Sequence, residues 1–83
     1  MKLNIKILGV GCQRCKTLEK LVTEVVNENK FDAEISKIED INKIMEYGVM
    51  LTPGLVINEK VLVSGRVPSK DEIKKLIEDH ING

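Results

Sequence analysis

Eighty-three residues suffice for one hydrophobic core and are too few for a second, so residues 1–83 read as a single domain. With 42% hydrophobic and 31% charged residues, the chain falls among folded, water-soluble proteins and outside the disordered class. Thirteen basic side chains cancel thirteen acidic ones, and one Tyr, one Phe and no Trp supply no stacking platform, which excludes nucleic acid and an anionic membrane surface as partners.

The opening Met1-Lys2-Leu3-Asn4-Ile5-Lys6 lacks the apolar stretch of about 7–15 residues that a secretory signal carries. No run approaches the roughly 20 apolar residues that span a bilayer. The expected location is the cytoplasm, where two cysteines are catalytic or metal-binding more often than structural. Leu3, Ile5 and Ile7 alternate with polar neighbours, the period of a strand. Gly9-Val10-Gly11 is a flexible turn. The period then changes: Cys15, Leu18, Leu21, Val22, Val25 and Val26 recur at helical spacing up to Asn27-Glu28-Asn29-Lys30.

Phe31, Ala33 and Ile35 alternate as a second strand. Asp40 is placed to cap a short helix to Tyr47, with Ile41, Ile44 and Met45 expected inward and Gly48 as its stop. After Thr52-Pro53-Gly54, the runs Leu55-Val56-Ile57 and Val61-Leu62-Val63 flank Asn58-Glu59-Lys60 and read as a hairpin. Ser69-Lys70-Asp71-Glu72 is a capping box, and Ile73, Leu76, Ile77 and Ile81 stripe a last helix. The order is β-α-β-α-β-β-α, an α/β domain opening on a right-handed βαβ unit.

Gly11-Cys12-Gln13-Arg14-Cys15 falls where the first strand hands over to the first helix. Cysteines at i and i+3 share a helix face, close enough to form a disulfide. Backbone N–H groups and the dipole at a helix N-terminus favour a thiolate at Cys12, and Arg14 and Lys16 push the same way. Cys15 continues the apolar stripe, so it is expected buried and second to act, as dithiol exchange needs. Simple packing of both cysteines is the plainer reading, but CxxC at a strand-to-helix turn inside a βαβ unit favours redox chemistry.

Metal binding is the rival. The segment also resembles the GxxCxxC loop of copper(I) carriers, so a soft-metal (copper) chaperone is the alternative function. Those domains run βαββαβ and usually carry Met where this chain has Val10. A zinc or iron–sulfur site needs more ligands than two thiols and a remote His80, so no metal site is expected. His80 reads as solvated or partly packed, and Met45 and Met50 as core or loop filler, with Met50 expected near the site.

The cysteine motif, Thr52-Pro53 before the third strand and the element order together resemble the thioredoxin superfamily. Within it, the chain is most similar to the small, glutaredoxin-sized redox-active disulfide proteins of archaea and some bacteria. The resemblance implies a thioredoxin-like fold, with a four-stranded mixed sheet in the order 2-1-3-4 flanked by helices. It implies a cis Thr52–Pro53 bond beside the disulfide, with the Thr52 backbone pairing to a substrate peptide and Gly65 keeping the groove open. The chain departs from the family in its Gln13-Arg14 pair, in lacking a Trp beside Cys12, and in having Asn4 and Lys6 where a buried acid would accept a proton. It shows no clear glutathione-binding motif. The implied activity is thiol–disulfide exchange with protein disulfides by a monomer that needs no cofactor and is restored by a disulfide reductase. A redox fold kept only as a binding module is a third reading.

Overall fold

In the computed structural model, residues 3–10, 13–49 and 51–82 are described. The elements are β1 (Leu3–Leu8), α1 (Gln13–Glu28), β2 (Ala33–Ile38), α2 (Ile41–Glu46), β3 (Gly54–Ile57), β4 (Lys60–Ser64) and α3 (Lys70–Asn82). They form one four-stranded sheet in the order β2-β1-β3-β4, as expected from the resemblance. β1 lies parallel to β2, with Leu3 opposite Ala33, and antiparallel to β3, with Leu8 opposite Gly54. β3 and β4 form the hairpin, with a bulge between Leu55 and Val56.

Alternation along β1 decides which face each residue serves. Leu3, Ile5 and Ile7 join Leu55, Ile57 and Val63 under α1 and α3, which contribute Leu18, Val22, Val25, Ile73 and Ile77. Leu8 and Val56 point the other way and pack with Ile44 of α2 and with Val49. β1 therefore has no solvent face where α2 lies. Lys6 runs its stem along that face and brings Nζ to Glu59 and, at 2.9 Å, to the Tyr47 hydroxyl, which donates to Glu59 Oε2 at 2.8 Å. These contacts, the Glu59 hydrogen bond first, raise the pKa of Lys6, and Lys6 in turn lowers that of Glu59.

Several local expectations are met and others corrected. The Asp40 carboxylate accepts from Asn42 N–H at 2.9 Å, capping α2. The Ser69 hydroxyl accepts from Glu72 N–H at 3.3 Å, but the returning arm of the capping box is missing. Glu72 instead forms a forked pair with the Arg66 guanidinium, which holds its carboxyl below the ordinary value. The hairpin loop is shorter than expected: Asn58 and Glu59 take φ of 49° and 69°, and Lys60 already belongs to β4. β2 begins at Ala33, two residues later than its alternation indicated, because Phe31 N–H still closes the end of α1 on Val26 O at 3.0 Å.

The largest correction concerns side chains placed inward. Ile41 and Met45 are 59% and 66% exposed, leaving Ile44 alone buried on α2. A six-residue helix presents one narrow stripe to the sheet, so residues i and i+4 fall on the same outer flank. Ile81, at the last turn of α3, is also exposed. β2 is followed by the helix α2 and not directly by a third strand, so the described elements do not follow the βαββαβ order of the copper carriers. Among the described residues, no helix is long and apolar enough to cross a membrane.

Candidate active site

The site forms at the C-terminal end of β1, where strand geometry ends and α1 begins. Cys15, in the first turn of α1, is 6% exposed and continues the stripe of Leu18, Val22 and Val25, as its spacing indicated. Cys12 and Gly11 lie outside the described residues. Arg14 and Lys16 flank Cys15 on the exposed side of the same turn.

Gly9 is what lets Cys15 come so near the sheet. Its N–H donates to Ile38 O at 3.0 Å, extending the β1–β2 ladder one residue past β1. A β-carbon at Gly9 would overlap the Cys15 sulfur and lie 2.9 Å from Cys15 Cβ. It would also meet Thr52 Cβ at 4.0 Å. Three segments distant in sequence therefore converge on one point: the end of β1, the first turn of α1, and the loop before β3.

The Thr52–Pro53 bond is cis, as the resemblance implied. Pro53 is buried and Thr52 exposed. Pro53 O accepts from Gly65 N–H at 2.9 Å, which joins the third predicted substrate residue to this loop. Gly65 has φ of +79°, and a β-carbon there would press on Leu51 Cβ at 3.1 Å. The buried Cys15 and Pro53, the exposed Thr52, and Gly65 thus lie together at one end of the sheet. Met50, also expected near it, lies outside the described residues.

Sequence reasoning missed the rim. Val10, Ile41, Met45 and Leu51 are all more than half exposed. Val10, Ile41 and Met45, with Ile44, Val49 and Thr52, line an apolar cavity of about 280 Å³. The i, i+4 spacing of Ile41 and Met45 is the available signal, and it marks a shared flank without telling core from rim. A second cavity, of about 130 Å³, reaches Cys15 from the other side and is lined by Ile7, Gly9, Lys16, Lys37 and Glu39. His80 is not part of the site. Asn58 Oδ1 accepts from Asn4 N–H at 2.9 Å, so the Asn58 amide nitrogen faces His80 Nε2 at 3.0 Å. That contact lies at the Asn4 end of β1, five residues from Gly9 and thus roughly 16 Å away.

The comparisons with known proteins agree with this architecture. The family model described as "Thioredoxin domain" matches residues 3–78. A curated protein named thioredoxin from Methanothermobacter thermautotrophicus is 43% identical over 75 residues, covering 90% of this chain and 97% of that protein. A thioredoxin from Methanocaldococcus jannaschii is 37% identical over 79 residues, covering 95% and 91% respectively. Among solved structures, the germline-specific thioredoxin Deadhead of Drosophila melanogaster superposes with a TM-score of 0.66 at 21% identity, covering 94% of this chain and 80% of that one. The oxidised thioredoxin of Plasmodium falciparum gives the same TM-score and coverage at 17% identity. These two show the fold; the family model and the archaeal relatives show descent. The chain belongs to the thioredoxin family.

Proposed function

We propose that the chain is a thiol–disulfide oxidoreductase that exchanges the Cys12/Cys15 dithiol with protein disulfides. The observation that carries this reading is the convergence of Cys15, Gly9 and Thr52 at the end of β1, in a chain whose family is the thioredoxins. The Cys12 thiolate attacks one sulfur of the target disulfide, forming a mixed disulfide and releasing the other target sulfur, which takes up a proton. Cys15 then attacks the Cys12 sulfur. The Cys12–Cys15 bond forms, the bond from Cys12 to the target breaks, and the target leaves with both sulfurs reduced. Two electrons have passed from dithiol to target, and a disulfide reductase returns them.

Each neighbour has a part in this scheme. Burial of Cys15 keeps the resolving sulfur from external oxidants while leaving it beside its partner in sequence. Arg14 and Lys16 contribute positive charge that favours thiolate. The Thr52 backbone receives an extended target segment, with Pro53 and Gly65 shaping the floor. The apolar rim of Val10, Ile41, Met45 and Leu51 covers side chains flanking the target cysteine, as exposed apolar patches do at binding surfaces. The thiols carry the electrons without a bound cofactor, and the chain acts as a cytoplasmic monomer.

The roles of the two thiols are separable. Alkylation at neutral pH with peptide mapping is expected to label Cys12 well ahead of Cys15. A Cys15→Ser variant should accumulate mixed disulfides with protein targets, and Cys12→Ser should not. Equal labelling, or faster labelling of Cys15, would reverse or remove the assignment. Symmetric inertness of both would favour the binding-module reading.

A further inference from the structure

α2 supplies Ile41, Ile44 and Met45 to the apolar cavity beside Thr52, yet little in its own sequence holds it there. Six residues are too few for a helix to be stable alone, so its place depends on what it touches. Ile44 is its one buried side chain, and Asp40 caps it two residues after β2 ends. At the other end Tyr47 closes the helix, its N–H donating to Ile44 O at 3.2 Å, and Gly48 turns the chain away with φ of +77°. We infer that the Tyr47 hydroxyl clips α2 to the sheet through Lys6 and Glu59, and so sets the wall of the cavity that receives target side chains. This rests on the dithiol reading above. Tyr47 acts through α2 and is therefore a positioning residue.

Both partners of the hydroxyl are fixed to the sheet. Lys6 belongs to β1, with Val56 of β3 as its cross-strand neighbour. Glu59 sits in the hairpin turn, and Asn58 ties that turn to β1. The Asn58 N–H donates to Asn4 O at 2.8 Å, and Asn58 Oδ1 accepts from Asn4 N–H at 2.9 Å. Tyr47 is thus the member that moves when the clip opens. Its hydroxyl accepts from Lys6 Nζ at 2.9 Å and donates to Glu59 Oε2 at 2.8 Å, while Lys6 and Glu59 also pair directly. Each partner is charged, which strengthens both hydrogen bonds over neutral ones. α2 is then held at two points: Ile44 packed with Leu8, Val49 and Val56, and Tyr47 at the hairpin turn. With Ile44 alone the helix would swivel about that side chain, and the exposed Ile41 and Met45 would leave the cavity wall.

Tyr47→Phe removes the hydroxyl and keeps the ring and the Lys6–Glu59 pair. Amide hydrogen exchange at Ile44, Tyr47 and Gly48 is expected to quicken about 3–10-fold, the loss of exposed hydrogen bonds, with α1 and β1 unchanged. KM for a protein disulfide such as that of insulin should rise by a similar factor, because fewer molecules hold the cavity ready. The kcat, and the reaction of Cys12 with a small disulfide reagent that needs no cavity wall, should stay at wild-type values. Glu59→Gln keeps an acceptor and loses the charge, so it should move both readouts the same way by less. Added to Tyr47→Phe it should change nothing further, since the hydroxyl it serves is gone. Lys43→Gln, a charge change on an exposed face of α2 beside the clip, should match the wild type.

Unchanged exchange in α2 or an unchanged KM in Tyr47→Phe, an equal loss with protein and small disulfides, or an equal loss in Lys43→Gln would overturn the clip while leaving dithiol exchange intact. No turnover by the wild type would overturn the dithiol reading and with it the effect on targets.

Discussion

Replacing Gly9 with alanine is expected to destabilise the protein and to impair exchange, although the substitution adds one methyl group and touches neither cysteine. The added carbon would occupy the space of the Cys15 sulfur and approach Cys15 Cβ at 2.9 Å. Neither side yields easily. Gly9 is tied to Ile38 through its N–H, and Cys15 Cβ is fixed to the backbone of a sixteen-residue helix. Relief requires moving the first turn of α1 or the end of β1, and overpacking of this kind costs about 1–3 kcal/mol. For a domain of this size the melting temperature should fall on the order of 5–20 °C. The same displacement moves Cys15 relative to Cys12, so the rate of protein-disulfide reduction should fall with it. Gly9→Ala combined with Cys15→Ala removes the overlapping sulfur and should regain part of the lost stability, a coupling that a double-mutant cycle measures. Wild-type melting in Gly9→Ala would contradict the close approach of β1 and α1.

Truncating Leu18 to alanine is expected to cost about 2–5 kcal/mol, measured by denaturant unfolding. Leu18 lies one turn beyond Cys15, is fully buried, and packs in the cluster that joins α1 to β1, β3 and α3. Against a total stability of about 5–15 kcal/mol for a small domain, this loss is severe. It also carries a functional consequence, because the stripe that buries Leu18 is the stripe that seats Cys15. Looser packing of α1 should raise the alkylation rate of Cys15 more than that of Cys12. A change under about 1 kcal/mol would mean that α1 is not anchored through this side chain.

Much of this architecture was legible because it rests on periodicity and punctuation. The two-residue alternation of Leu3, Ile5 and Ile7, the helical stripe from Cys15 to Val26, and the Asp40 and Ser69 caps are local signals, and each is satisfied locally. The sheet order and the cis bond at Pro53 came from resemblance, since no local rule sets either. Periodicity failed where exposure depends on what lies opposite. Ile41 and Met45 are apolar at helical spacing, but α2 is too short and too near the sheet's end for more than Ile44 to be covered. Glu72 met the pattern of a capping box and was claimed by Arg66, six residues upstream and outside the motif. Glu39 and Lys37 carried no signal at all. Their meeting with Cys15 depends on β2 lying parallel beside β1, a tertiary fact.

If Cys12 and Cys15 form a working dithiol–disulfide couple, the protein must reduce a protein disulfide catalytically. Reduction of a protein disulfide such as that of insulin, with dithiothreitol as donor, tests this on the wild-type protein as purified, its metal content measured, and on the Cys12→Ser variant. Catalysis well above the dithiothreitol background is expected in the wild type and none in the variant. Rates equal to background in both, with copper or zinc bound stoichiometrically through purification, would contradict it.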